Sequence, residues 1–162
     1  MFQLFLFLHV MGAIAVFGPT FAFPIIASQA QKAPQHGHFA AVVSEFIERR
    51  LVLPGAVVQG ITGVALILIT GRDLTASVNR WLLSAIVLYL IAIGFAAMVQ
   101  AKNAEKMVHL TANMPPGPPP AGAPAGPPPE IAATGRSLER GGQFLTVLIV
   151  LIVILMVTKP AF

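Results

Sequence analysis

The sequence contains no cysteine. That excludes disulfides, thiolate metal sites, iron–sulfur clusters and a cysteine nucleophile together. Charge is nearly as scarce: ten Lys and Arg with six Asp and Glu make up 10% of the chain, against roughly 25% in soluble domains. A water-soluble reading would need four wholly apolar helices buried in a core that 162 residues do not supply. The net charge of +4 is scattered near the ends of apolar runs rather than gathered in a stripe, so it does not form a nucleic-acid footprint. A phosphate loop, a Gly-x-Ser-x-Gly turn and a Glu-x-x-His pair are all missing.

What the chain has instead is apolar length. Phe2 to Ala27, Leu51 to Thr70 and Trp81 to Ala101 hold no Asp, Glu, Lys or Arg, and Phe144 to Val157 reaches spanning length with Leu138 to Gln143 and Thr158. A helix crosses roughly 30 Å of hydrocarbon with about 20 apolar residues. The chain therefore reads as all-α, an antiparallel transmembrane four-helix bundle with a Pro-rich loop between helices 3 and 4. The expected segments are 1–28 for helix 1, 39–70 for an amphipathic lead-in and helix 2, and 79–110 for helix 3 with an extension beyond the membrane. A Pro/Gly-rich tether over 112–135 and helix 4 over 138–159 complete the chain. The first run lacks a basic n-region and exceeds a signal-peptide core in length, so it is read as a retained span.

Lys32, Arg49, Arg50, Lys102, Lys106, Arg136 and Arg140 flank one side of the spans, and Arg72, Arg80 and Lys159 the other. The positive-inside rule then puts both termini outside. Pro19 and Pro24 predict a bend in helix 1, and Pro54 a kink where helix 2 enters the membrane. Gln29 to His38 reads as a polar loop, Asp73 and Asn79 as candidate caps, and Trp81 as an anchor in the outer interface. Glu45, Glu48, Arg49 and Arg50 read as an interfacial ion-pair cluster, with partner binding as the alternative. The Pro-rich stretch from Pro115 to Pro129, at about 3.1 Å per residue, could extend on the order of 45 Å. It is read as a semi-rigid tether, with a docking strip for a partner as the alternative.

Few polar groups remain inside the spans: His9, Thr20, Gln59, Thr62, Ser84 and Tyr89. Gly12 shares the His9 face of helix 1, and Gly55, Gln59 and Gly63 line one face of helix 2. Small residues let backbones approach closely, so these faces, with Arg49 and Arg50 at the interface, are the expected packing or partner-binding positions. Counting from the outer ends puts His9 and Tyr89 at nearly the same depth, so the two are expected to meet, with Gln59 deeper on the cytoplasmic side. His9 and Tyr89 are thus the candidate cofactor-binding residues. Imidazole suits axial haem ligation, but a bis-histidine site needs a second ligand at matching depth, and none exists. The alternatives for His9 are a hydrogen bond to a neighbouring helix or a quinone or pigment contact. His36-x-His38 matches no zinc or di-iron spacing and is read as a solvated loop, so no metal is expected.

Leu8-His9-Val10-x-Gly12-Ala13, Arg50-x-x-x-Pro54-Gly55 leading to Thr62-Gly63, and Trp81 opening the third span resemble the bacterial four-span membrane proteins of domain-of-unknown-function family 2269. The likeness covers about the first 110 residues, and the Pro-rich tether departs from it. It implies a four-helix fold in the bacterial cytoplasmic (inner) membrane and no particular activity. The early Leu-His is also similar to membrane haem proteins of the protoporphyrinogen oxidase and copper-resistance D types. Those carry further ligand histidines or lysines inside the bundle, and this chain does not.

Ion transport and membrane catalysis both draw on ionisable residues within spans, and here His9 stands alone. The expected function is a non-catalytic accessory or scaffold subunit that packs against other membrane subunits, with a respiratory or photosynthetic electron-transport assembly as host. The competing readings are a haem- or quinone-contacting redox protein using His9, and a small transporter or sensor.

Overall fold

The computed structural model describes residues 1–112 and 126–160. They form four long helices, α1 (Phe2–Lys32), α2 (Pro34–Thr70), α3 (Ser77–Ala112) and α4 (Pro129–Thr158), each long and apolar enough to cross a membrane. No strand occurs among the described residues. Most of the expected tether, 113–125, lies outside them.

Helix boundaries depart from the sequence reading in two places. The expected loop from Gln29 to His38 shrinks to a corner at Ala33, because α1 runs on through Gln29, Ala30, Gln31 and Lys32, which favour helix. Ala33 takes φ −131° and ψ 72°, out of the helical region that a residue before proline avoids, and the chain turns there into Pro34. Helix α4 starts at Pro129 rather than near 138, with Pro128 as its N-cap residue and Glu130 in its first turn. Proline suits this position because the first-turn N–H has no intrahelical partner.

Each of the first three helices departs from α geometry at one interior stretch. In α1 the turn from Gly18 to Ala22 tightens to 3-10 geometry around Pro19, and Thr20 Oγ1 donates to the Phe17 carbonyl at 2.6 Å. In α2 the stretch Glu48–Val52 widens to π geometry just ahead of Pro54. The proline ring opposes the carbonyl four residues back, and the wider turn relieves that crowding. Helix α3 carries a matching π stretch at Ala96–Gln100.

Helix α1 packs mainly on the membrane half of α2, and α3 on α4. The two pairs join at the end of the bundle rich in Lys and Arg, where Gly37–Ile47 of α2 lies along Ala101–Ala112 of α3. Closer to the termini α2 and α3 diverge, leaving a shallow apolar groove lined by Val57, Gly60, Ile61 and Val64 on one side and Tyr89, Leu90 and Ile93 on the other.

The α2–α3 connection is fixed by its own polar groups. Gly71 closes α2 in the left-handed region at φ 60°. Asp73 Oδ1 accepts from the Thr75 amide at 2.8 Å and hydroxyl at 2.7 Å, and the Thr75 hydrogen bonds hold its carboxylate below the ordinary range. Asn79 makes no side-chain cap and instead donates to the Asp73 carbonyl at 2.8 Å. Trp81 is buried rather than set in an open interface, with the Arg72 guanidinium 5.7 Å and the Lys159 ammonium 6.0 Å from its ring.

Candidate functional site

The polar groups of the first pair meet around His9. Its Nδ1 lies 3.0 Å from Thr62 Oγ1 and 3.2 Å from Gln59 Nε2, and the same Gln59 amide donates to the His9 carbonyl at 2.9 Å. A backbone carbonyl only accepts, so the Gln59 NH2 group must face it. The two contacts at Nδ1 make opposite demands: the Gln59 amide calls for a lone pair there, whereas Thr62, whose own proton goes to the Gln59 carbonyl, calls for a proton. Thr62 also donates to the Gln59 carbonyl at 2.9 Å, which locks the cluster to its own helix.

Glycines make the approach feasible. A Cβ at Gly12 would sit 2.6 Å from Gln59 Oε1, one at Gly63 would sit 3.2 Å from His9 Cε1, and one at Gly55 would collide with Val16. Gly12, Gly55 and Gly63, singled out as packing positions, therefore all lie in the α1–α2 seam. Gln59 belongs there too: it is buried and bonded to His9 from the level of Gly12, one turn further along α1.

Tyr89 does not take part. Its hydroxyl donates to the Ala56 carbonyl, and its ring packs over Gly60. The expected meeting of His9 and Tyr89 thus gives way to two separate attachments on α2, one from α1 and one from α3. Residue spacing carries a position along a helix but not the side of α2 that each neighbour occupies.

At the basic end Arg49 pairs with Glu45 at 2.7 Å and with Glu105 at 2.9 Å. Lys106 meets Glu130 at 3.0 Å, and Asn103 donates to Ser137 Oγ at 2.9 Å. Arg50 is exposed and has no ion pair among the described residues. His38 Nδ1 lies 3.0 Å from Thr111 Oγ1, so it ties α2 to α3 instead of resting in a solvated loop. Glu48 leaves the expected surface cluster altogether. It is 4% exposed, and its Oε1 is buried without a hydrogen-bond partner. Gln100, likewise buried, donates through Nε2 to the Leu138 carbonyl at 3.0 Å, while its Oε1 has no partner. The sequence reading passed over Gln100. Its signal was a carboxamide at the inner end of an uncharged run.

No curated protein and no solved structure matches this chain. One family profile does, described as "Predicted integral membrane protein (DUF2269)", over residues 3–160. The match extends well beyond the 110 residues on which the likeness was first read and takes in the Pro-rich stretch and α4. Four membrane-length helices, glycine seams joining the first two, and a profile that fits from Phe2's neighbour to the end of α4 place the chain in the DUF2269 family of integral membrane proteins.

Proposed function

We propose that the chain is a non-catalytic accessory or scaffold subunit that assembles with other subunits in the membrane. The observation that carries this reading is how little of each span the chain covers itself. In the most apolar stretch of α1, α2, α3 and α4, only 6%, 17%, 17% and 11% of residues are buried within the bundle. Helices this open offer most of their surface to lipid or to neighbouring helices. The one ionisable side chain at mid-span, His9, is held by Gln59 and Thr62 across a helix seam. That is the behaviour of a packing contact. The proposed host is an electron-transport assembly of the bacterial inner membrane, and the distribution of Lys and Arg supports a topology with both termini outside.

The second reading is a haem-, quinone- or pigment-contacting role for His9, whose Nδ1 is engaged by Gln59 and Thr62 and whose Nε2 makes no hydrogen bond among the described residues.

Purification of a tagged chain in mild detergent tests the assembly. Larger membrane subunits in fixed ratio are expected. A chain that migrates alone, or one that carries a Soret band lost in His9→Ala, overturns the reading.

A further inference from the structure

Where α3 meets α4, toward the basic end, a second groove is half polar. Its walls are Phe95 and Val99 of α3 and Phe144 of α4, and its rim carries Arg136, Ser137 and Arg140 of α4. Val99 and Phe144 are 39% and 41% exposed, so the groove opens on the outer surface of the bundle. Helical spacing produces it. Phe95 and Val99 stand one turn apart on α3, and Arg136, Arg140 and Phe144 recur at one-turn spacing on α4. Phe95 and Phe144 meet edge to face at the end furthest from the basic pole, with ring centroids 4.9 Å apart. Gly141 keeps the floor low, since a Cβ there would lie 3.2 Å from Phe95 Cε1. The space amounts to about 540 Å³, within the ~300–1,000 Å³ of small-ligand sites. Arg140 precedes Phe144, where the uncharged run begins, by one turn, or about 6 Å. The guanidinium groups therefore stand at headgroup height while the aromatic walls stand level with acyl chains.

Pairing within the chain leaves these arginines without a counter-charge. Of the six acids, Glu45 and Glu105 pair with Arg49, and Glu130 pairs with Lys106. Glu48 is buried, and Asp73 belongs to the connection at the opposite end. Glu139 is exposed and does not line the groove, because about 3.6 residues per turn set it on the flank away from Ser137. Neither Arg136 nor Arg140 makes an ion pair among the described residues, and 113–125 contain no Asp or Glu. On α3, Lys102 follows Val99 by three residues, is exposed and adds charge of the same sign. Ser137 accepts from Asn103 at 2.9 Å, so its own proton remains to be donated.

We propose that this groove binds one anionic phospholipid, of the phosphatidylglycerol class, from the leaflet at the basic end. The phosphate accepts from Arg136, Arg140 and the Ser137 hydroxyl, and one acyl chain runs along Phe95, Val99 and Phe144. Guanidinium matches phosphate with two parallel hydrogen bonds, and basic pockets between transmembrane helices favour anionic headgroups. A zwitterionic headgroup brings a cation for which the rim offers no carboxylate.

Native mass spectrometry of the full chain in mild detergent tests the site, with phosphatidylglycerol or phosphatidylcholine of identical acyl chains added. One phosphatidylglycerol should stay bound at concentrations where phosphatidylcholine is lost. Arg136→Gln and Arg140→Gln should each weaken its binding about fivefold, equivalent to about 1 kcal/mol for one cation at the membrane surface. Arg80→Gln, at the opposite end, should not. Val99→Trp fills the apolar arm without altering charge and should also weaken binding. Equal retention of the two lipids, or a loss in Arg80→Gln as large as in the other two, overturns the proposal. So does unaltered binding in Val99→Trp, or in an Arg136→Gln/Arg140→Gln double variant that keeps its helical circular dichroism. Displacement of the lipid by an equal concentration of inorganic phosphate overturns it as well, since the acyl chain would then contribute nothing.

Discussion

Single atoms decide the α1–α2 seam. The chain has no room for a methyl at Gly55, where Val16 already stands, whereas a Cβ at Gly18 meets nothing within 4 Å. Gly55→Ala should therefore lower thermal stability in detergent by about 1–3 kcal/mol through overpacking. Gly18→Ala should leave it unchanged or slightly raised, so equal effects at the two positions would contradict the seam. Gln59→Leu removes two contacts to His9 at once. A loss of about 1–2 kcal/mol is expected, in line with interhelical bonds in membranes, and denaturant titration in mixed micelles measures it. Nitrogen NMR of labelled histidine should show the His9 Nδ1 signal shifting in Gln59→Leu, and an unmoved signal would contradict the contact. The small residues at 12, 55 and 63 were legible because glycine at helical spacing has few other uses in a span. Partner identity was not legible: the side of α2 that receives Tyr89 depends on how α3 leaves the Gly71 turn, and residue spacing carries no such angle.

At the level of helices, the same limit explains Glu48. Its neighbours Glu45, Arg49 and Arg50 are polar, and by composition all four belong at an interface. One π turn changes which of them faces inward, and a turn of that kind has no strong sequence mark beyond the proline that follows it. The start of α4 was more readable than the sequence reading allowed, since Pro128-Pro129-Glu130 combines a proline in the first turn with an acid near the helix N-terminus. The ion pairs along these helices contribute little. Arg49 and Glu105 are each half exposed at the side chain, so Glu105→Gln should change stability by less than about 1 kcal/mol. A larger loss in the same denaturant titration would mean that Arg49 does more than pair at the surface.

For the molecule as a whole, the absence of cysteine becomes an advantage, because introduced thiols have no competitors. Asn103→Cys with Ser137→Cys replaces a side-chain contact of 2.9 Å between α3 and α4 and should cross-link readily on mild oxidation, read as a mobility shift on gels. Failure to link would dismantle the α3–α4 pair. The arrangement of pairs also bears on how the chain is made. Each mid-span polar group of α1 and α2 finds its partner within that first hairpin: His9 with Gln59 and Thr62, and Thr62 with the Gln59 carbonyl. When α2 leaves the insertion machinery, α1 is already beside it. The imidazole and carboxamide then need not wait in lipid while the ribosome translates the Pro-rich stretch that precedes α4. Gln100 has no such early partner, because the Leu138 carbonyl it needs is synthesised last. Nascent chains truncated before α4 should therefore retain a closed first hairpin and a third helix held to α2 through Tyr89, His38 and Arg49, with only the Gln100 carboxamide still lacking its partner.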